Sequence, residues 1–168
     1  MRASEIDEEF PVVNTDSPAL EAARMLAEHN LPGIVVLTAD GQLHAVLPAS
    51  QVVRFIVPSY VQDDPLLASV LAESIADQAR EKLGGKTIRE LLPQRQLTLP
   101  TADVDDTIIE VAMIMARLRS PLIAVMKQGN LHGVITASRL LAMALRCGLI
   151  DNRHFRAVGT HRLTELSL

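Results

Sequence analysis

Gly129–Leu141, GNLHGVITASRLL, packs a tight turn, a strand, a polar shoulder and a helix start into thirteen residues. Leu131 to Ile135 is apolar enough to lie inside a sheet, and Thr136-Ala137-Ser138 stands where the next helix must begin. A strand end meeting a helix N-terminus offers free backbone N–H groups, a positive dipole end and hydroxyls, which favour a phosphate or the polar edge of a nucleotide. The same order of residues occurs earlier, in Gly41–Val53, GQLHAVLPASQVV.

The correspondence extends outward from both stretches. Gly41, Leu43, His44, Val46, Ala49 and Ser50 match Gly129, Leu131, His132, Val134, Ala137 and Ser138; upstream, Glu21, Ala23, Ala27 and Pro32 match Glu110, Ala112, Ala116 and Pro121. The period is near 88 residues, far longer than that of a solenoid. Each copy reads strand–helix–strand–strand–helix.

In the first copy Phe10–Val13 is a brief extended piece, and Asp16-Ser17-Pro18 opens a helix with a capping side chain before a first-turn proline. Ile34–Leu37 is a β-branched run suited to a strand covered on both faces. Asp40-Gly41 signals a hairpin, Leu43–Leu47 returns, and Ala49-Ser50-Gln51 opens a helix running to about Val57. The second copy places strands at Leu97–Leu99, Leu122–Met126 and Leu131–Ile135, with helices over Ile108–Leu118 and Ser138–Cys147. Between the copies, Asp63-Asp64-Pro65 caps a helix with apolar residues at Leu67, Val70, Leu71, Ile75, Ala79 and Leu83, stopped by Gly84-Gly85. Thr87–Leu92 reads as a further helical turn or two. The expected organisation is therefore an α+β or α/β chain: a first unit over 1–58, an interposed helical segment over 59–86, a second unit over 87–147 and a tail over 148–168.

Composition narrows the function classes. The chain has no Trp, one Tyr and three Phe, so its core is aliphatic and base stacking on aromatic platforms is not its mode of binding. Net charge is −4, which argues against a general nucleic-acid binder. Residues 1–93 carry 14 acidic and 7 basic side chains, whereas residues 94–168 carry 6 and 9, making the second half the better host for an anion. Cys147 is the only cysteine, a small buried hydrophobe in expectation, so no intrachain disulfide forms and a reducing compartment is expected. No run approaches the roughly 20 apolar residues of a membrane span. The expectation is a cytoplasmic protein that does not insert into membranes.

The repeat resembles the CBS (cystathionine-β-synthase type) domain, and the pair resembles a Bateman module. The resemblance rests on Leu31-Pro32-Gly33-Ile34-Val35 and Ser120-Pro121-Leu122-Ile123 before the middle strands, on Asp40-Gly41 and Gln128-Gly129 at the hairpins, and on Gly133–Leu140. It covers about 120 of the 168 residues. Such modules are not enzymes; the resemblance implies two units packed about a pseudo-twofold axis, clefts that hold adenosine nucleotides, and pairing of modules into a disc. It places a nucleotide site in the second unit at Ser120, Pro121, Leu122, Ile123, Thr136, Ser138 and Arg139. A weaker site follows in the first unit at Pro32, Gly33, Ile34, Ser50 and Gln51. The family's signature ends in threonine, two variable residues and aspartate. Here Arg139 replaces the aspartate, and in the first copy Pro48 and Gln51 replace threonine and aspartate. A guanidinium only donates and suits phosphate oxygens, so Arg139 either turns the second site toward phosphate or is a solvated helix-face residue. Pro48 removes a donor from the first site, while Gln51 can still hydrogen-bond an adenine or a ribose.

No catalytic constellation stands out. His44 and His132 are symmetry mates on strands and read as structural rather than as metal ligands, and Asp103, Asp105 and Asp106 read as helix capping. Ile108–Leu118 is apolar nearly all round, and the closing helix adds Leu140, Leu141, Met143 and Leu145, more than a small domain covers alone. An exposed face of this kind should pair with another copy or another protein; because the resemblance also implies pairing of modules, a homodimer is the expectation, twofold pairing being the commonest closed assembly. The reading is a non-catalytic regulatory module with no required cofactor, which binds an adenine nucleotide or dinucleotide and controls a partner transporter or enzyme. The other reading is a dimerisation or docking scaffold whose clefts have lost their ligand.

Overall fold

The computed structural model describes residues 1–63, 75–93 and 98–146. The first copy contains β1 (Val12–Asn14), α1 (Ala19–Glu28), β2 (Gly33–Leu37), β3 (Leu43–Pro48) and α2 (Ala49–Ile56). The connection carries α3 (Ser59–Asp63), α4 (Ile75–Leu83) and α5 (Ile88–Leu91). The second copy repeats the order with β4 (Thr101–Asp103), α6 (Ile108–Leu118), β5 (Leu122–Lys127), β6 (Asn130–Thr136) and α7 (Ala137–Arg146). Each copy forms its own sheet, with β2 or β5 in the middle, parallel to β1 or β4 and antiparallel to β3 or β6. Gly41 and Gly129 turn the two hairpins at φ +82° and +84°, a conformation glycine adopts without strain.

Strand alternation assigns each apolar side chain to a layer. Ile34, Val36, Ala45 and Leu47 face α1 and α2, and Ile123, Val125 and Ile135 face α6 and α7. The opposite faces meet: Val35, Val46, Leu122 and Val134 form one buried cluster drawn from both units. The two sheets therefore stack back to back between helical layers. This explains why their strands read as unbroken apolar runs, since both faces are covered.

The segment leading into each unit docks on the other unit. A 3-10 turn at Ala3–Glu5 hydrogen-bonds to the second copy, with Ala3 N–H donating to Asp106 O at 2.8 Å and Ser4 N–H to Val104 O at 3.1 Å. The equivalent α5 docks on the first copy, Ile88 N–H donating to Ser17 O at 3.0 Å and Arg89 N–H to Thr15 O at 2.9 Å. Ala3 and Ile6 belong to the second core, Ile88 and Leu91 to the first. Both segments start with the same device: the backbone N–H of Arg2 or Thr87 donates to the carboxylate three residues on, Glu5 at 2.9 Å or Glu90 at 2.8 Å. Thr107 and Glu110 repeat it at the start of α6. The donated backbone hydrogen bonds hold the carboxyls of Glu90 and Glu110 below the usual glutamate range.

Several expectations need correction. The expected strand at Leu97–Leu99 starts later, at Thr101: Pro100 has no N–H to give a ladder, although its carbonyl accepts from Ala124 N–H at 2.9 Å. The α1 start is right, but neither Asp16 nor Ser17 caps it. Pro18 is the N-cap, Ser17 Oγ accepts from Asn14 N–H at 3.0 Å, and Asp16 pairs with Arg89 at 2.9 Å. At α6 the cap is Thr107, while Asp103 and Asp106 hold the preceding turn. Ile75 on α4 is exposed, and the buried positions are Gln78 and Leu83. Asp64, Pro65, Leu67, Val70, Leu71, Leu97, Cys147 and the tail over 148–168 lie outside the described residues. No helix among the described residues is long and apolar enough to cross a membrane.

Candidate functional site

A cleft of about 230 Å³ opens where three segments meet. Val46–Pro48 and Gln51 come from the end of β3 and the start of α2, Leu92–Pro93 and Thr98–Pro100 from the connection, and Leu118–Ser120 from the turn between α6 and β5. Both units therefore build it. Its walls are mostly aliphatic and proline, and its polar groups are Gln51, Thr98, Arg119 and Ser120. Arg119 ends α6 in the left-handed region, at φ 50° and ψ 36°, and so turns the chain sharply into β5. Among the described residues no carboxylate lies within ion-pair distance of its guanidinium, as all the observed ion pairs involve other groups. Ser120 Oγ donates to Leu122 O at 2.6 Å and braces the turn. The arrangement offers an apolar slot, a neutral amide that both donates and accepts, and an arginine without an ion-pair partner among the described residues.

The equivalent shoulder in the second unit is closed. Thr136 Oγ1 accepts from Arg139 N–H at 3.3 Å and lies 3.2 Å from Ser138 Oγ, so its oxygen is spent on the start of α7. Arg139 Nε donates to Ile6 O at 2.6 Å, and its Nη1 lies 3.7 Å from the Glu8 carboxylate. Glu8 also exchanges two backbone hydrogen bonds with Val134, each 3.0 Å. Beside it Asp7 Oδ2 lies 2.6 Å from His132 Nδ1, and a Cβ on Gly133 would collide with the Asp7 carboxylate. In the first unit the repeat places Leu92 and Pro93 where Asp7 and Glu8 stand. Pro93 lacks the N–H that Glu8 gives to Val134, so no bridge closes over Val46, which lines the cleft instead.

The residues expected to hold a ligand thus divide. Gln51 and Ser120 line the cleft. Ile34, Leu122 and Ile123 are fully buried packing residues and do not line the cleft. Pro32 and Pro121 act through their carbonyls, which accept from Ala49 and Ala137 N–H at 3.0 Å and so fix the two helix starts. Gly33 is buried at the seam, where an added Cβ would sit 3.2 Å from Leu122 Cδ2. Ser50 and Ser138 are exposed and do not line this cleft. Thr136 and Arg139 belong to the closed shoulder, where Arg139 is held by Ile6 and Glu8 rather than left open to phosphate or to solvent alone. Sequence reasoning missed Arg119 and Thr98–Pro100. The adjacent Ser120 and the cationic excess of the second half were the available signals for Arg119; nothing local marked the connection as a wall.

Comparison with known proteins agrees with this architecture. The family model of the CBS domain matches twice, over residues 3–58 and 88–146. The chain is similar to a solved CBS domain-containing protein of unknown function from Kribbella flavida DSM 17836, with 56% identity over 86% of this chain and 99% of that one, and a TM-score of 0.75. It shares its fold with CBSX2, solved in complex with AMP, at 15% identity, 87% and 97% coverage and TM-score 0.61. The CBS domain pair of MJ0100, solved with 5'-methylthioadenosine and S-adenosyl-L-methionine, matches at 17% identity, 88% and 98% coverage and TM-score 0.59. No curated protein matches. With two matched copies and a relative more than half identical over nearly its whole length, the chain belongs to the CBS-domain family.

Proposed function

We propose that the chain is a non-catalytic, cytoplasmic regulatory module that binds one adenine nucleotide in the cleft of the first unit and passes that binding to a partner transporter or enzyme. The observation that carries the reading is the pairing of an aliphatic slot with Arg119, which has no ion-pair partner among the described residues, at a junction built by both units. An adenine edge meets the Gln51 amide, and the phosphate meets Arg119. A volume of about 230 Å³ lies just below the range of drug-sized sites, which suits the base and ribose of one nucleotide with its phosphates at the mouth, better than a dinucleotide. The ligands held by CBSX2 and by the MJ0100 domain pair share an adenosine body and support this class. Because both units and their connection line the slot, a ligand that fits one arrangement of the units better than another shifts their equilibrium by that difference alone.

The same reading includes a homodimer. Ile109 and Met113 on α6 and Leu141 and Leu145 on α7 are 78%, 58%, 60% and 50% exposed, an apolar face that a second copy would cover. In the first unit α4 packs against α1 and α2, and Leu20, the equivalent of Ile109, is partly buried against the core.

Calorimetric titration with AMP, ATP and a cyclic dinucleotide tests the cleft. Binding of AMP should weaken at least about tenfold in Arg119→Ala, the size of one hydrogen bond to a charged group, and less in Gln51→Ala. No binding of any of the three would favour the scaffold reading, which the loss of the family's threonine and aspartate from the first unit supports. Sedimentation of Leu141→Asp tests the dimer, which should dissociate.

A further inference from the structure

We propose that residues Ile6–Glu8 are an autoinhibitory strap: the Glu8 carboxylate occupies Arg139, and a phosphate-bearing ligand gains the second shoulder only by displacing it. The proposal rests on the nucleotide reading above for the class of ligand, but not on which cleft binds first. Upstream, Ala3 and Ile6 are buried in the second core, so the strap has a fixed end there. Downstream, Val12 begins β1 in the first unit, so the strap also ties the two units together.

Between these ends the strap is held by the Glu8–Val134 bridge, the Asp7 N–H to Ala3 O hydrogen bond, the contact of the buried Asp7 carboxylate with His132 and the two contacts of Arg139. The Arg139–Glu8 separation of 3.7 Å is long for a charge-assisted bond, and both side chains are more than a third exposed. Such a pair contributes little, and a phosphate that approaches the guanidinium with two short hydrogen bonds outcompetes it. The first unit shows the arrangement without a strap. There Leu92-Pro93 cannot form the bridge, Gln51 replaces Arg139, and the shoulder is open. Release of the strap exposes the β6 edge and frees one tie between the units, which gives occupancy of the second shoulder a structural consequence of its own.

The test is amide exchange at Val134, read by NMR on the full chain, with AMP and inorganic pyrophosphate as probes. In Glu8→Gln the Val134 amide should exchange roughly threefold faster than in the parent, the scale of an exposed ion pair. Either probe should accelerate that exchange further. The acceleration should persist in Arg119→Ala, where the first cleft is disabled, and vanish in Arg139→Ala. Val134 exchange unmoved by both probes, in the parent and in Glu8→Gln alike, overturns the strap. If AMP binding that depends on Arg119 is retained in that case, the first-cleft reading stands without it; if no binding remains, both fall.

Discussion

The two shoulders of this molecule share one backbone plan and end in opposite states. In the first, a proline replaces the strap residue, a glutamine replaces the arginine, and a cleft forms against Arg119 of the other unit. In the second, Asp7 pairs with His132 and Glu8 with Arg139, and the Thr136 hydroxyl is engaged at the helix start. The difference teaches that duplication conserves packing more readily than it conserves a site. Packing asks only for apolar side chains of suitable volume, whereas an open polar crevice is lost as soon as a neighbouring segment supplies the complementary charges.

The seam between the sheets offers the harshest trial of this comparison. Leu122 and Gly33 occupy equivalent positions in the two copies, and Leu122 fills the space that the glycine leaves. Leu122→Ala should destabilise the chain by about 2–5 kcal/mol and both units should unfold in one transition, measured by urea denaturation followed at probes in each unit. Two separated transitions would show that the units are independent and that the cleft between them is incidental. Gly33→Ala should also destabilise, by about 1–3 kcal/mol, with only partial rescue by Leu122→Ala because Leu47 O also crowds the added carbon.

A smaller effect sharpens the contrast between the shoulders themselves. Gly133→Ala, which drives a methyl into the Asp7 carboxylate, should cost about 1–3 kcal/mol, whereas Ala45→Gly at the equivalent position should cost about 1 kcal/mol. Asp7→Gly should relieve the first penalty and leave the second untouched. Equal responses at the two positions in a thermal melt would erase the asymmetry claimed for them.

The smallest effect tests what the two units have in common. Glu90 and Glu110 titrate below their ordinary range because backbone N–H groups donate to their carboxylates. Their contribution to stability is complete above the ordinary glutamate range and is lost as pH falls through the lowered values. Glu90→Gln with Glu110→Gln should therefore lower stability slightly at neutral pH and flatten its decline below about pH 5, the two proteins converging in acid. An unchanged acid limb would mean that the boxes add nothing measurable.

Much of this fold was legible because its signals are local. The hairpins at Asp40-Gly41 and Gln128-Gly129, the apolar runs of β2 and β5, and the recurrence of Gly, Leu, His, Val, Ala and Ser in one register depend on neighbouring residues and alternation. The sequence by itself determined two copies of one unit, an aliphatic core and the absence of a family-type carboxylate at either helix start. Only the tertiary structure decided which shoulder is open, that Arg119 faces the first unit's slot, and that each lead-in segment crosses to the other unit. The physical reason is range. Periodicity reports which face of a strand or helix is buried, but neutralisation of Arg139 by Glu8 joins residues 131 apart in sequence, a pairing set by how the two sheets stack.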